Sequence, residues 1–130
     1  MSPVIDTDKW RGGYAHFTEA EMRCPCGCGG LPRHSFMLLL VTIREEYYTL
    51  TKKGLPVSSG YRCPAYSVKV GGSATDSHTL GVGIDSPLKN PFVRVLVDLA
   101  IKYRLWGIGI APDHIHIDNM PRLSKVIWSE

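Results

Sequence analysis

The stretch GIGIAPDHIHID, residues 107–118, alternates bulky apolar residues with small or polar ones on either side of a Pro-Asp break. Alternation with a period of two marks strands with one buried face, so the stretch predicts two short strands joined by a tight turn. In extended backbone His114, His116 and Asp118 share one face, and Ile115 and Ile117 the other. The segment thus predicts a sheet with an apolar side for a core and a polar side for chemistry. The shared face favours both histidines equally, and periodicity does not choose among Asp113, His114, His116 and Asp118.

Helical periodicity surrounds this sheet signal. In PFVRVLVDLAIKYRLWG (91–107), Phe92, Val95, Leu96, Leu99 and Tyr103 line one face, Pro91 suits the first turn and Gly107 ends the helix. In PRHSFMLLLVTIREEYYTLTKKG (32–54), Phe36, Leu39, Leu40, Ile43 and Tyr47 recur at helical spacing, with a stop at Lys52, Lys53 and Gly54. Thr18 is placed to cap a short helix starting near Glu19. LPVSSGYR (55–62) reads as a strand running into a turn, and residues 67–90 as a loop followed by a short strand near Val82 to Ile84. Helices packed on a small antiparallel sheet, an α+β fold in a single domain spanning 1–130, would bury these faces.

Composition narrows the functional classes. With 130 residues, 44% hydrophobic and 21% charged, the chain suits one folded unit with a real core. A net charge of +3 without a Lys/Arg run gives no footprint for nucleic acid, although it suits a polyanionic surface such as a cell wall. The acidic start MSPVIDTD lacks the pattern of a signal peptide, and no apolar run reaches spanning length. The expectation is a monomer made in the cytoplasm without membrane insertion. Cys24, Cys26, Cys28 and Cys63 could make a four-thiolate zinc site, but one-residue spacings in CPCGCGG are unusual for structural zinc, and adjacent disulfides would be strained. The spacing therefore favours reduced cysteines that shape a Gly-rich loop.

Two more polar clusters precede the opening stretch: SSGYRCP with Arg62, and SHTLGVGID, where His78 and Asp85 stand seven positions apart. Catalytic zinc takes three protein ligands and keeps an open position for water. His78, Asp85 and one histidine of the final strand would supply that set, with Gly81 and Gly83 admitting backbone close to it. Singly, a histidine in a Gly-rich loop is usually a surface residue, a strand-end aspartate a turn residue, and an arginine the partner of a surface carboxylate. Their coincidence is what points to a metal.

Taken in order, SSGYRCPAYS, VGGSATDSHTLGVGID and GIGIAPDHIHID resemble the M15 metallopeptidases. These are zinc D-Ala-D-Ala carboxypeptidases and peptidoglycan endopeptidases that share their fold with the Hedgehog signalling domain. The likeness runs from about Phe17 to Trp128. It implies a Zn2+ site of His78, Asp85 and His116, with Asp113 as general base three residues before the last ligand. Arg62 matches the arginine that binds the substrate's carbonyl or carboxylate, and His114 a non-ligand histidine beside the metal. Asp113 lies on the opposite face from His116 in an ideal strand, so the role requires Pro112 to bend the entry or the strand to start later.

The chain departs from the resemblance at Asp76, where relatives commonly have Ser, and at Gly83, where they often have Ala. Asp76 would orient His78 or lie in solvent, and Asp118 would hydrogen-bond a ligand or simply end the strand. The resemblance implies hydrolysis of peptidoglycan stem peptides or cross-links at bonds involving D-amino acids, and the small size, with neither an export signal nor a wall-binding module, fits a phage or prophage endolysin released through a holin. The alternatives are a Hedgehog-like metal-containing binding module and a virion structural protein without peptidase activity.

Overall fold

The computed structural model describes residues 7–129, so most of the acidic start on which the expectation of no export signal rests lies outside the described residues. Four helices, α1 (Glu19–Met22), α2 (His34–Thr51), α3 (Pro64–Lys69) and α4 (Phe92–Lys102), combine with four strands, β1 (Gly83–Ser86), β2 (Gly107–Ile110), β3 (Ile115–Asp118) and β4 (Val126–Ser129). This is the expected α+β class.

The α1 start is the expected capping box. The Glu21 N–H donates to Thr18 Oγ1 at 3.3 Å, and the Thr18 N–H donates to Glu21 Oε1 at 3.1 Å. Helix α2 buries Phe36, Met37, Leu40, Ile43 and Tyr47. It stops at Lys52, which takes the left-handed conformation (φ 59°) two residues before the glycine that sequence offers as the stop. Helix α4 likewise ends at Lys102 and the chain reverses at Arg104 (φ 59°), which leaves Gly107 to open β2. Helix α3 was not foreseen. Its signal is Pro64 at the first position, where the missing N–H costs nothing.

The sheet order is β1-β3-β2-β4, with β3 antiparallel to β1 and β2. Strand β4 runs parallel to β2, so the sheet is mixed rather than antiparallel throughout. Both edges of β3 are occupied, so the chain leaving it must pass to the free edge of β2. Asp118 and Val126 both pair with Gly107, so residues 119–125 stay at one end of the sheet and β4 re-enters in the direction of β2.

The expected strand over 55–62 is also corrected. It shrinks to one bridge, in which Ser58 donates to the Asp85 carbonyl and Asp85 to the Ser59 carbonyl, both at 2.9 Å. Beyond it the Tyr61 N–H bonds the Met22 carbonyl at 2.9 Å and draws the chain off the sheet.

The alternation read in HIHID is realised. Ile84, Ile108, Ile115 and Ile117 join the α2 and α4 residues in one core. Asp85, His116 and Asp118 occupy the other face of the sheet, and the register pairs Asp85 with His116. None of the helices among the described residues is long and apolar enough to cross a membrane.

Candidate functional site

On the polar face, three elements bring their side chains to one point. Asp85 comes from the middle of β1, His116 from the middle of β3, and His78 from the turn that precedes β1. His78 Nε2 lies 3.3 Å from Asp85 Oδ1, and His116 Nδ1 lies 2.9 Å from the same oxygen. All three residues are at least nine-tenths buried.

The outer nitrogen of each imidazole is already engaged. His78 Nδ1 donates to the Gly60 carbonyl at 2.8 Å. His116 Nε2 donates to Asp118 Oδ2 at 2.7 Å, with Ser77 Oγ at 3.1 Å as a second acceptor. With those protons placed outward, each neutral ring aims a lone pair at the Asp85 carboxylate. Once His116 gives up its inner proton, two lone pairs and a carboxylate oxygen converge on one point, and the donor set of two imidazoles and one carboxylate fits a divalent transition metal.

The charge balance fits the same account. Burial would lower the His116 pKa, but the hydrogen bonds to Asp118 and Asp85 outweigh it and push it up to about 9. Burial would likewise raise the Asp85 carboxyl, yet the hydrogen bonds from His116 and His78 hold it well below the usual carboxylate range. A metal entering here must displace a proton from His116.

Asp118 is fully buried and carries more than the sequence assigned to it. Arg122 grips it with both arms of its guanidinium, Nη1 to Oδ1 at 2.7 Å and Nη2 to Oδ2 at 2.9 Å. The Arg122 ring contact continues onto Trp128, whose indole lies 5.5 Å from the His116 ring. Arg122, Ser77 and Trp128 were missed by sequence reasoning. The one available signal was the four-residue step from Asp118 to Arg122.

Such outer carboxylates fix the orientation of ligating histidines, and their loss typically costs ~10–100-fold in metal affinity. Asp118→Asn is expected to weaken metal binding by roughly that factor, measured by competition with a chromophoric chelator. An unchanged affinity would restrict Asp118 to holding the strand end.

A cavity of about 380 Å³ opens over this point, lined in part by Arg62, His114, Met120 and Trp128. Arg62 donates through Nε to Ser59 Oγ at 3.0 Å and through Nη2 to Asp85 Oδ2 at 3.3 Å, so it holds the Asp85 carboxylate from the cavity lining. Asp76 does not orient His78. It accepts from Ser67 Oγ, from the Thr79 N–H and from the Ser73 N–H, and so ties the turn that carries His78 to α3.

Asp113 is not among the residues that line the cavity. Its side chain is 85% exposed and accepts from His114 Nδ1 at 2.8 Å. The strand does start later, at Ile115, as a base at position 113 required. Asp113 therefore stands in the turn between β2 and β3, and His114 is the member of the pair that reaches the cavity.

A family model described as Peptidase M15 matches residues 15–118, from just before α1 to the last residue of β3. The chain belongs to the peptidase M15 family. Membership of M15 makes the converging histidines and aspartate part of a peptidase, and the match covers every residue of the metal-like triad together with Arg62, Asp113 and His114. Arg122 and Trp128 lie beyond the matched segment. No curated protein matches the chain.

Proposed function

We propose that this M15 peptidase is a zinc enzyme that hydrolyses peptide bonds involving D-amino acids in peptidoglycan stem peptides or cross-links, as an endolysin that reaches the wall through a holin. The observation that carries the reading is the convergence of His78 Nε2, His116 Nδ1 and Asp85 Oδ1 beneath an open polar cavity. His78, Asp85 and His116 would hold the zinc. When bound, it supplies an electrophile for the scissile carbonyl and acidifies a water molecule at neutral pH.

The chain's own residues supply the rest. Arg62, charged and at the rim, receives the carbonyl oxygen or terminal carboxylate of the substrate. Asp113 accepts the proton of the attacking water and passes it to the leaving amine. His114, held by Asp113 through Nδ1, donates from Nε2 to the developing oxyanion when its ring is doubly protonated. The cavity is of the size that takes a short peptide segment, and the +3 charge suits an anionic wall.

A second assignment of the proton step is favoured by one contact. His114 lines the cavity with Asp113 behind it at 2.8 Å, so His114 itself could serve as the base with Asp113 orienting it. The two assignments give different variant kinetics, set out in the Discussion.

Digestion of purified muropeptides with a mass-spectrometric readout is expected to show loss of a D-amino acid or opening of a cross-link, abolished by a chelator and restored by zinc. A protein that holds stoichiometric zinc and cuts no muropeptide would sink the enzymatic reading and leave a Hedgehog-like binding module or a virion component.

A further inference from the structure

A second cluster of potential ligands stands apart from the triad, on the loop between α1 and α2 and at the start of α3. The Sγ atoms of Cys24, Cys26, Cys28 and Cys63 all lie within 4.8 Å of one another. Cys24 and Cys26 are 3.4 Å apart through their sulfurs, and Cys26 and Cys63 are 3.6 Å apart. All four are free cysteines, at separations well beyond the ~2.05 Å of a disulfide. The separations are close to the ~3.8 Å expected along the edge of a tetrahedron with zinc–sulfur bonds of ~2.3 Å.

The one-residue spacing, which argued against zinc in the sequence, is resolved by backbone. In a regular strand alternate residues share a face but are strung out along it. Here Gly27 (φ 83°) and Gly29 (φ 84°) take left-handed conformations that coil the loop, so three thiols turn to one point. The loop is closed by hydrogen bonds from the Gly27 N–H to the Cys24 carbonyl and from the Cys24 N–H to the Gly30 carbonyl. The Cys63 N–H donates to Cys24 Sγ at 3.3 Å, a bond that favours thiolate.

Packing does not explain the cluster. Only Cys24 is buried, whereas Cys26 and Cys28 are exposed and add nothing to the core.

We propose that Cys24, Cys26, Cys28 and Cys63 form a structural tetrathiolate zinc site. Zinc exchanges the four S–H bonds for four S–Zn bonds, the thiol protons leave to solvent, and the closed site carries a net charge of −2. The ion clamps the α1–α2 loop to the chain immediately after Arg62. That chain segment also presents the Gly60 carbonyl to His78, so the site braces two supports of the catalytic centre without touching substrate.

The test is cobalt substitution of the whole chain, which reads ligand type without reading activity. The cobalt-loaded wild type is expected to show the intense near-ultraviolet thiolate charge-transfer band, and the His78→Ala/His116→Ala double variant is expected to keep it. Cys26→Ser and Cys28→Ser should each weaken or abolish it. The zinc-loaded wild type should resist a thiol reagent at all four cysteines until a chelator is added. The proposal is overturned if wild-type protein shows no thiolate band, if both serine variants retain it in full, or if native protein has freely reactive thiols or the mass of a disulfide form. None of these readings depends on peptidase activity, so failure of the proposed function would register separately.

Discussion

His116→Ala is expected to abolish stoichiometric binding of zinc at the triad and to reduce muropeptide hydrolysis by roughly a thousandfold or more, since the metal supplies several kcal/mol of transition-state stabilisation. His116 is placed by the middle of β3, its inner nitrogen 2.9 Å from Asp85 and its outer one bound by Asp118. Alanine removes the inner ligand atom and leaves Asp118 paired with Arg122, so the end of β3 keeps its bidentate ion pair. Metal content after dialysis, together with far-ultraviolet circular dichroism, separates loss of a ligand from loss of the fold. His114→Ala, by contrast, is expected to retain the zinc. If His114→Ala loses the metal and His116→Ala keeps it, the assignment of the two histidines is reversed.

Asp113→Ala is expected to lower kcat by about 10²–10⁴-fold with zinc content unchanged, the range a positioned general base contributes. Asp113 is exposed, and its hydrogen bond to His114 holds its carboxyl below the ordinary aspartate value. If Asp113 takes the proton directly, His114→Ala should cost much less than Asp113→Ala. If His114 takes it, the His114 variant should cost at least as much, and Asp113→Asn should recover part of the activity by still orienting the ring. Full activity in Asp113→Ala would remove that residue from the chemistry while the ligand set could survive.

The alternation in HIHID made the sheet's two faces legible, because a period of two in a short strand leaves few other arrangements, and the buried isoleucines and the inward His116 follow it. The long helices were legible for the same reason at a period of 3.6. What escaped was set by tertiary contacts. The 55–62 segment has strand-like residues, but Gly60 wedges against the Met22 backbone and pulls it out of the ladder. The direction of β4 depends on which sheet edge is free, a property no local pattern holds.

The site was legible through resemblance more than through spacing. Sequence offered two equivalent histidines, and their separation into one beside Asp85 and one beside Asp113 depends on where β3 begins. The brace formed by Arg122 and Asp118 had no usable signal, because a surface pair four residues apart would look the same. The cysteines do stand free in a Gly-rich loop, but the clustering of their sulfurs was not legible, because spacing rules assume ordinary backbone and Gly27 and Gly29 do not supply it.

Strand β2 presents glycine twice to the site face. A Cβ at Gly107 would collide with Asp118, and one at Gly109 would meet the Trp128 ring at 2.7 Å. Anyone seeking to redirect this peptidase to a different substrate by mutagenesis would find that floor closed to variation, because any side chain there displaces the brace or the indole. Variation at Met120, which lines the cavity from beyond the end of β3, would reach the same space without touching that floor.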